Sequence, residues 1–482
     1  MIEIAVKYLE KVTGARPWTG NADRVCKGVV IDSRKVEADS IFVAFPGERV
    51  DGNDFAPQAI EAGAAAVILT EKPDRKLIRL ADDHECAVFT CEDPEEFLLL
   101  LAQGYRARIR CTVIAVTGSI GKTTTKDVLA ALLATRYRVH ATQGNHNNLI
   151  GMPLTILSAP RDTQMMVLEM GMDAPGQIER MSRCAQPTYA VITKVGTSHI
   201  GRLGSRENIA RAKAEVLAGM PPSSENFENH HSKLVLCGED DFTPFIIDNF
   251  AKPAGVDVVL AGTAPDDDVS ASDIQVDAEG HPSFNIMFED GANFKTGLSI
   301  TGRQSVVNAL FAAALAHELG IAQFVISETF EHLDITGHRQ EIRAAASGAR
   351  VIDDSYNASP ESMAAGLDLL EKLPCEGSRI AILGEMGELG DESRRLHELV
   401  GAYAAAKRPD LLVCVGSDDA RAMADAARLM GMAEDSVAQV PDCDRLTRRY
   451  KGVLGPRDLV LVKASRFVGL DRFVAEVCAD AR

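Results

Sequence analysis

The chain has 482 residues, a formal net charge of −18, 46% hydrophobic residues and 25% charged ones. That length predicts about three domains, and the acidic balance argues against a nucleic-acid partner. No apolar run reaches the roughly 18 residues of a membrane span, and the start MIEIAVKYLE lacks a signal-peptide pattern, so a cytoplasmic chain without membrane insertion is expected.

Residues 1–108 read as a small α/β unit. Gly28–Ile31 is a strand running into the polar turn Asp32-Ser33-Arg34, and Ser40–Phe45 is a second strand. The loop Asp51-Gly52-Asn53-Asp54-Phe55 leads into a helix-like segment and the strand Ala65–Leu69. These polar turns read either as plain connections or as the holders of a polar or anionic ligand. The ten cysteines include no C-x-x-C pair and read as thiols in a reducing compartment.

Residues 109–335 form a central unit. Val113–Val116 is a short apolar strand, Thr117-Gly118-Ser119-Ile120-Gly121 a turn, and the spacing of Val128, Leu129, Leu132 and Leu133 predicts a helix from Lys122. Strand, glycine turn and helix opening on Lys-Thr is the pattern of a phosphate-binding loop. Glycines let backbone N–H groups close on phosphate oxygens, and the helix N-terminus adds partial positive charge. Gly118, Ser119, Ile120, Gly121, Lys122, Thr123 and Thr124 are the candidate nucleotide cradle; Lys122 reaches the β/γ-phosphates and Thr123 ligates Mg²⁺. Val116 stands where the longer form of the motif has glycine.

The amide-rich stretch Gly144–Pro153 is a loop. Met165–Leu168 is a strand closed by Glu169, on the sheet edge where ligands collect. Glu169 reads as an Mg²⁺ ligand beside Thr123 or as a strand-end salt bridge. His199 follows another strand end, Tyr189–Thr193, and reads as structural or as a ligand. Lys213 lies in a helix predicted over 206–217, where an exposed lysine is the plain expectation. The acidic run Asp266-Asp267-Asp268 and the pair His230-His231 read as solvated loops, and 255–300 as β-hairpins. Gly302–Ala309 opens an Ala-rich helix to His317.

Residues 336–482 alternate strands (Val351–Asp354, Ile380–Leu383, Leu411–Val415, Leu459–Val462) with helices, a Rossmann-like pattern without G-x-G-x-x-G. Ser359 is placed to cap a helix whose first residue is Pro360.

Ten motifs in order resemble the Mur ligase family: Asp32–Arg34, Asp51–Phe55, Thr117–Thr123, Asn145–Pro153, Glu169–Gly171, Gly196–His199, Ala212–Glu215, Asp353–Ala358, Leu383–Gly390 and Lys463–Arg466. The resemblance implies three α/β domains: 1–108 for a UDP-sugar peptide, 109–335 for ATP, and 336–482 for the incoming amine. It implies ATP-dependent addition of D-alanyl-D-alanine to UDP-N-acetylmuramoyl-tripeptide through an acyl phosphate, by a monomeric enzyme of peptidoglycan precursor synthesis. Lys122, Glu169, His199 and Lys213 would be catalytic. Thr123 and Glu169 would hold one Mg²⁺, and His199 with a carbamylated Lys213 a second. Asn308, Arg339 and Asp354 match ATP-contacting positions. Ser33, Arg34, Asn147 and Asn148 fall where the UDP-sugar peptide lies, and Asn357, Ser465 and Arg466 where the dipeptide or the closed state is sensed. The chain departs from the family at Lys194 (usually Asn), Gln304-Ser305 (often His-Asn) and Ala464 (usually Gly). Two alternatives stay open: a related ligase joining another carboxylate and amine, and a nucleotide-binding NTPase without ligase chemistry.

Overall fold

The computed structural model describes residues 2–47, 50–223, 231–335, 337 and 340–478. Besides a two-stranded antiparallel pair of Glu3–Ala5 with Val25–Lys27, three large sheets divide the chain. The first has five strands in the order Arg16–Thr19, Ala87–Thr90, Ala66–Leu69, Ile41–Val43, Val29–Val30, parallel except for the first pair.

The central sheet has nine strands. Val139–Ala141, Met165–Glu169, Thr112–Thr117, Tyr189–Ile192, Lys233–Cys237, Asp257–Gly262 and Val269–Val276 run parallel, and an antiparallel meander through Pro282–Phe288 and Asn293–Gly297 ends it. The expected hairpins over 255–300 therefore begin only after Asp257–Gly262, which extends the parallel sheet. The third sheet has six strands, ordered Glu341–Ala344, Arg350–Asp354, Leu459–Lys463, Arg379–Gly384, Leu411–Val415, Val437–Val440. All but the first pair are parallel.

The central parallel strands are apolar throughout because helices cover both faces. Helix Lys122–Ala134 packs Val128, Leu129, Leu132 and Leu133 on one face of the sheet, with Ser305–Glu318 beside it. On the other face lie Gly151–Ser158 and Gln177–Ala185, which also receive helix Pro94–Arg106. That helix begins where Asp93 accepts the Glu95 and Glu96 N–H groups and Pro94 fills the first position. Its apolar face, with Phe97, Leu98, Leu101 and Tyr105, joins the first sheet to the central one in a continuous core. The cores on the two faces of the third sheet are separate from it, apart from Ile200, which touches both sides. The first two units are thus welded by apolar packing, whereas the third meets the second chiefly through polar contacts.

Local expectations hold or shift for physical reasons. Ser359 caps helix Pro360–Lys372 in a reciprocal box with Ser362. The helix predicted over 206–217 is α-helical only over Arg206–Ala214 and tightens into a 3-10 turn over Glu215–Gly219. Asp267 and Asp268 are half-buried, not freely solvated: they accept the Ala264 and Leu260 N–H groups. His231 Nδ1 lies 2.7 Å from the Ser223 carbonyl; His230 lies outside the described residues. No helix among the described residues is long and apolar enough to cross a membrane.

Candidate active site

Strand register brings the site together. Val116 pairs with Glu169 and Thr117 with Ile192, so three adjacent parallel strands end at one level. The glycine turn leaves there. Gly118 has φ +141, and an added Cβ would fall 2.0 Å from Thr193 Oγ1. Gly121 has φ +84, and its Cβ would meet Asn308 Oδ1 at 2.3 Å. Both positions demand glycine, by backbone conformation and by space. The Ser119 N–H donates to the Lys194 carbonyl at 2.7 Å; this contact uses backbone alone, so a lysine serves there as well as asparagine.

Helix Lys122–Ala134 opens into the cleft. Lys122 Nζ donates to the Gly118 carbonyl at 2.9 Å. Thr123 Oγ1 donates to Glu169 Oε2 at 2.8 Å, and Asn147 Nδ2 to Glu169 Oε1 at 2.7 Å. Thr123 and Glu169 are buried. Two hard oxygen donors side by side, at a helix N-terminus and beneath a lysine, suit a divalent cation bound with phosphate.

Lys213 corrects the plain expectation for a helix lysine. It is fully buried, and its Nζ has no hydrogen-bond partner. Burial first, and the Lys122 charge next, hold its pKa well below the ordinary 10.5. A buried amine without a partner is costly, and the lowered pKa favours the neutral form, the one that adds carbon dioxide.

The cleft has a volume of about 510 Å³. Ser119–Thr124, Asn147, Asn148, Glu169, His199, Asn308, Asp354 and Asn357 all line it. Ser33 and Arg34 do not: Arg34 is exposed and pairs with Asp32 at 2.8 Å, and Ser33 bonds Gln58 Oε1 at 3.2 Å. Ser465 and Arg466 also lie off the cleft lining. Ser465 Oγ accepts the Gly387 N–H at 2.9 Å, and Arg466 is exposed. Arg339 lies outside the described residues.

The matches run the length of the chain: residues 25–104 match the Mur ligase family catalytic domain, 116–316 the Mur ligase middle domain, and 338–466 the Mur ligase glutamate ligase domain. The chain is 37% identical to the UDP-N-acetylmuramoyl-tripeptide--D-alanyl-D-alanine ligase of Bacillus subtilis (strain 168), covering 99% of each. The chain belongs to the Mur ligase family.

Solved Mur ligase structures share its three-domain fold. The crystal structure of MurF from Acinetobacter baumannii superposes with a TM-score of 0.86 at 27% identity over 99% of both chains. The MurF ligase of Thermotoga maritima in complex with ADP gives 0.79 at 26% identity over 94% of this chain and 97% of that one.

In this Mur ligase the structure adds contacts that sequence reasoning did not foresee. Lys463 ends strand Leu459–Lys463, lines the cleft, and bonds Asp354 Oδ2 at 2.7 Å and the Asn357 carbonyl at 3.0 Å. The strand-end rule that singled out Glu169 also applied to it. Gln304 reaches Gln340 Oε1 across the domain boundary. Glu361 Oε1 accepts the Thr197 N–H at 2.7 Å. No sequence signal marked these pairings.

Proposed function

We propose that this chain joins D-alanyl-D-alanine to UDP-N-acetylmuramoyl-tripeptide with conversion of ATP to ADP and phosphate, in cytoplasmic peptidoglycan precursor synthesis. The observation that carries this reading is the buried Thr123–Glu169 pair at the mouth of the phosphate-binding helix, in a cleft closed on its far side by Asp354, Asn357 and Lys463 of the third domain. The full-length kinship with an enzyme of that name supports the substrates.

The chemistry needs alignment and charge neutralisation more than a nucleophilic side chain. A tripeptide carboxylate oxygen attacks the γ-phosphorus and ADP leaves. The dipeptide amine then attacks the resulting acyl phosphate, loses a proton, and phosphate departs as the amide forms. The glycine turn and Lys122 bind and align the triphosphate. Asn308, Arg339 and Asp354 are assigned to ATP contacts, following the family pattern; Asn308 and Asp354 line the cleft. Asn147 orients Glu169, and Asn147 with Asn148 borders the path of the peptide carboxylate. Ser33 and Arg34 are assigned to the UDP-sugar end, outside the cleft, and Asn357, Ser465 and Arg466 to the dipeptide end.

Thr123 and Glu169 are fitted to hold Mg²⁺, which when bound supplies charge neutralisation at the phosphates. The orphaned Lys213, whose burial favours the neutral amine, fits carbamylation: its amine would add carbon dioxide, release a proton, and become an anionic oxygen donor that, with His199, would hold a second ion.

Phosphate release with ATP, Mg²⁺ and UDP-N-acetylmuramoyl-tripeptide, with and without D-alanyl-D-alanine, tests the reading when the product is weighed by mass spectrometry. Dipeptide-dependent release with a pentapeptide product supports it. Silence with either a lysine- or diaminopimelate-containing tripeptide points to another carboxylate and amine, and release indifferent to the amine points to an NTPase.

A further inference from the structure

The segment Gly196–Gly201 belongs to the central domain, yet the third domain grips it at three places. Glu361 Oε1 accepts the Thr197 N–H at 2.7 Å. His199 Nδ1 lies 2.6 Å from Glu388 Oε2. The Gly201 N–H donates to the Glu388 carbonyl at 3.1 Å. The backbones touch so closely that a Cβ on Gly201 would fall 2.3 Å from Gly390 N, and one on Gly196 would fall 2.9 Å from Glu361 Oε1.

His199 and Glu388 both carry φ +65, in the left-handed region that side chains rarely adopt. Such conformations persist where surrounding contacts over-determine them, and here each is held by the other's domain. Nothing in the reaction itself calls on Glu388, which does not line the cleft. Its carboxylate lies against Nδ1 of His199, while His199 itself lines the cleft.

A carboxylate on one imidazole nitrogen fixes the N–H there and leaves the other nitrogen as the lone-pair donor. We infer that Glu388 is a positioning residue: through Nδ1 it holds His199 in the tautomer that presents Nε2 to the cleft, so that cation binding at His199 depends on docking of the third domain. The pair spans the domain boundary, which makes it a check that the amine-binding domain is seated before the phosphate side is complete. This inference rests on the proposed function for the presence of a cation at His199, but the tautomer itself does not.

The experiment uses the full chain labelled with ¹⁵N-histidine, in the wild type and in E388A and E388Q, with H199Q to assign the His199 signals. In metal-free protein, two-bond ¹⁵N–¹H correlations report the tautomer. Manganese affinity is then measured by electron paramagnetic resonance with a non-hydrolysable ATP analogue.

The expected result is an Nδ1–H tautomer in the wild type, tautomer mixing in E388A, and an apparent Mn²⁺ affinity about tenfold weaker in E388A. E388Q keeps an acceptor oxygen and is expected to restore both most of the way. An unchanged tautomer in E388A overturns the inference, as does a changed tautomer with unchanged Mn²⁺ affinity. A wild type that binds no Mn²⁺ with the analogue counts instead against the proposed function, and the tautomer measurement then decides the His199–Glu388 pairing by itself.

Discussion

Thr123 Oγ1 and Glu169 Oε2 are hydrogen-bonded at 2.8 Å although 46 residues separate them in the chain. The parallel pairing of their strands, with Val116 opposite Glu169, holds the carboxylate level with the glycine turn. Replacing Glu169 with Gln keeps the hydrogen-bonding shape and removes the charge. E169Q is expected to lower kcat/KM for phosphate release by roughly 100-fold or more, with little change in melting temperature. Chelation of divalent ions by EDTA is expected to abolish wild-type turnover, and added Mg²⁺ to restore it.

Lys213 gives a prediction in which stability and activity move in opposite directions. Its unmodified amine is held well below 10.5 by burial and by Lys122. Between that lowered value and 10.5 the unfolded chain binds more protons than the native one, so stability rises with pH across this window. In metal-free buffer depleted of carbon dioxide, K213M is expected to be more stable by about 1–3 kcal/mol at neutral pH and to lose that pH dependence in urea titrations. The same variant is expected to be inactive, whereas wild-type activity should rise with added bicarbonate.

The glycine turn tolerates no side chain at two positions. G118A must push against Thr193 and G121A against Asn308, each with a positive φ besides. Left-handed backbone alone costs about 1–2 kcal/mol at a non-glycine residue. Both variants are expected to melt earlier and to show at least roughly tenfold weaker ADP binding by calorimetry.

Lys463 and Asp354 form a buried pair at 2.7 Å, with side chains 2% and 11% exposed. Removing the lysine takes away a buried cation 2.7 Å from the carboxylate. K463M is expected to cost about 3 kcal/mol in urea unfolding, and D354N–K463M to cost less than K463M alone because the two sites couple.

Four buried thiols give a prediction for alkaline pH. Burial raises Cys26, Cys86, Cys184 and Cys414 from 9.0 to about 12. These groups stay protonated in the native state while unfolded cysteines ionise. Their contribution is therefore full below pH 9 and is lost as pH rises from 9 towards 12. The urea midpoint is expected to fall steadily over that range, and C414A to flatten the fall.

The glycine turn before helix Lys122–Ala134 was legible because all its determinants are local. A buried strand, two glycines with their own backbone demands, and an amphipathic helix sit within two dozen residues, and each announces itself by spacing. The strand-end position of Glu169 was legible for the same reason. The cap at Ser359-Pro360 and the Rossmann-like alternation of the third domain followed from short-range rules too.

The amino-acid sequence by itself determined three α/β units, the glycine cradle with Lys122 and Thr123, and the family resemblance that the full-length matches bear out. Only the tertiary structure decided which polar side chains lose water. Lys213 looks like any helix lysine until the helix is packed, and the energetics of an unsolvated amine appear only then. The pairings of His199 with Glu388, Thr197 with Glu361 and Lys463 with Asp354 arise where elements distant in sequence converge. Burial and charge pairing are properties of such convergence, not of any segment, and a one-dimensional pattern carries no record of them.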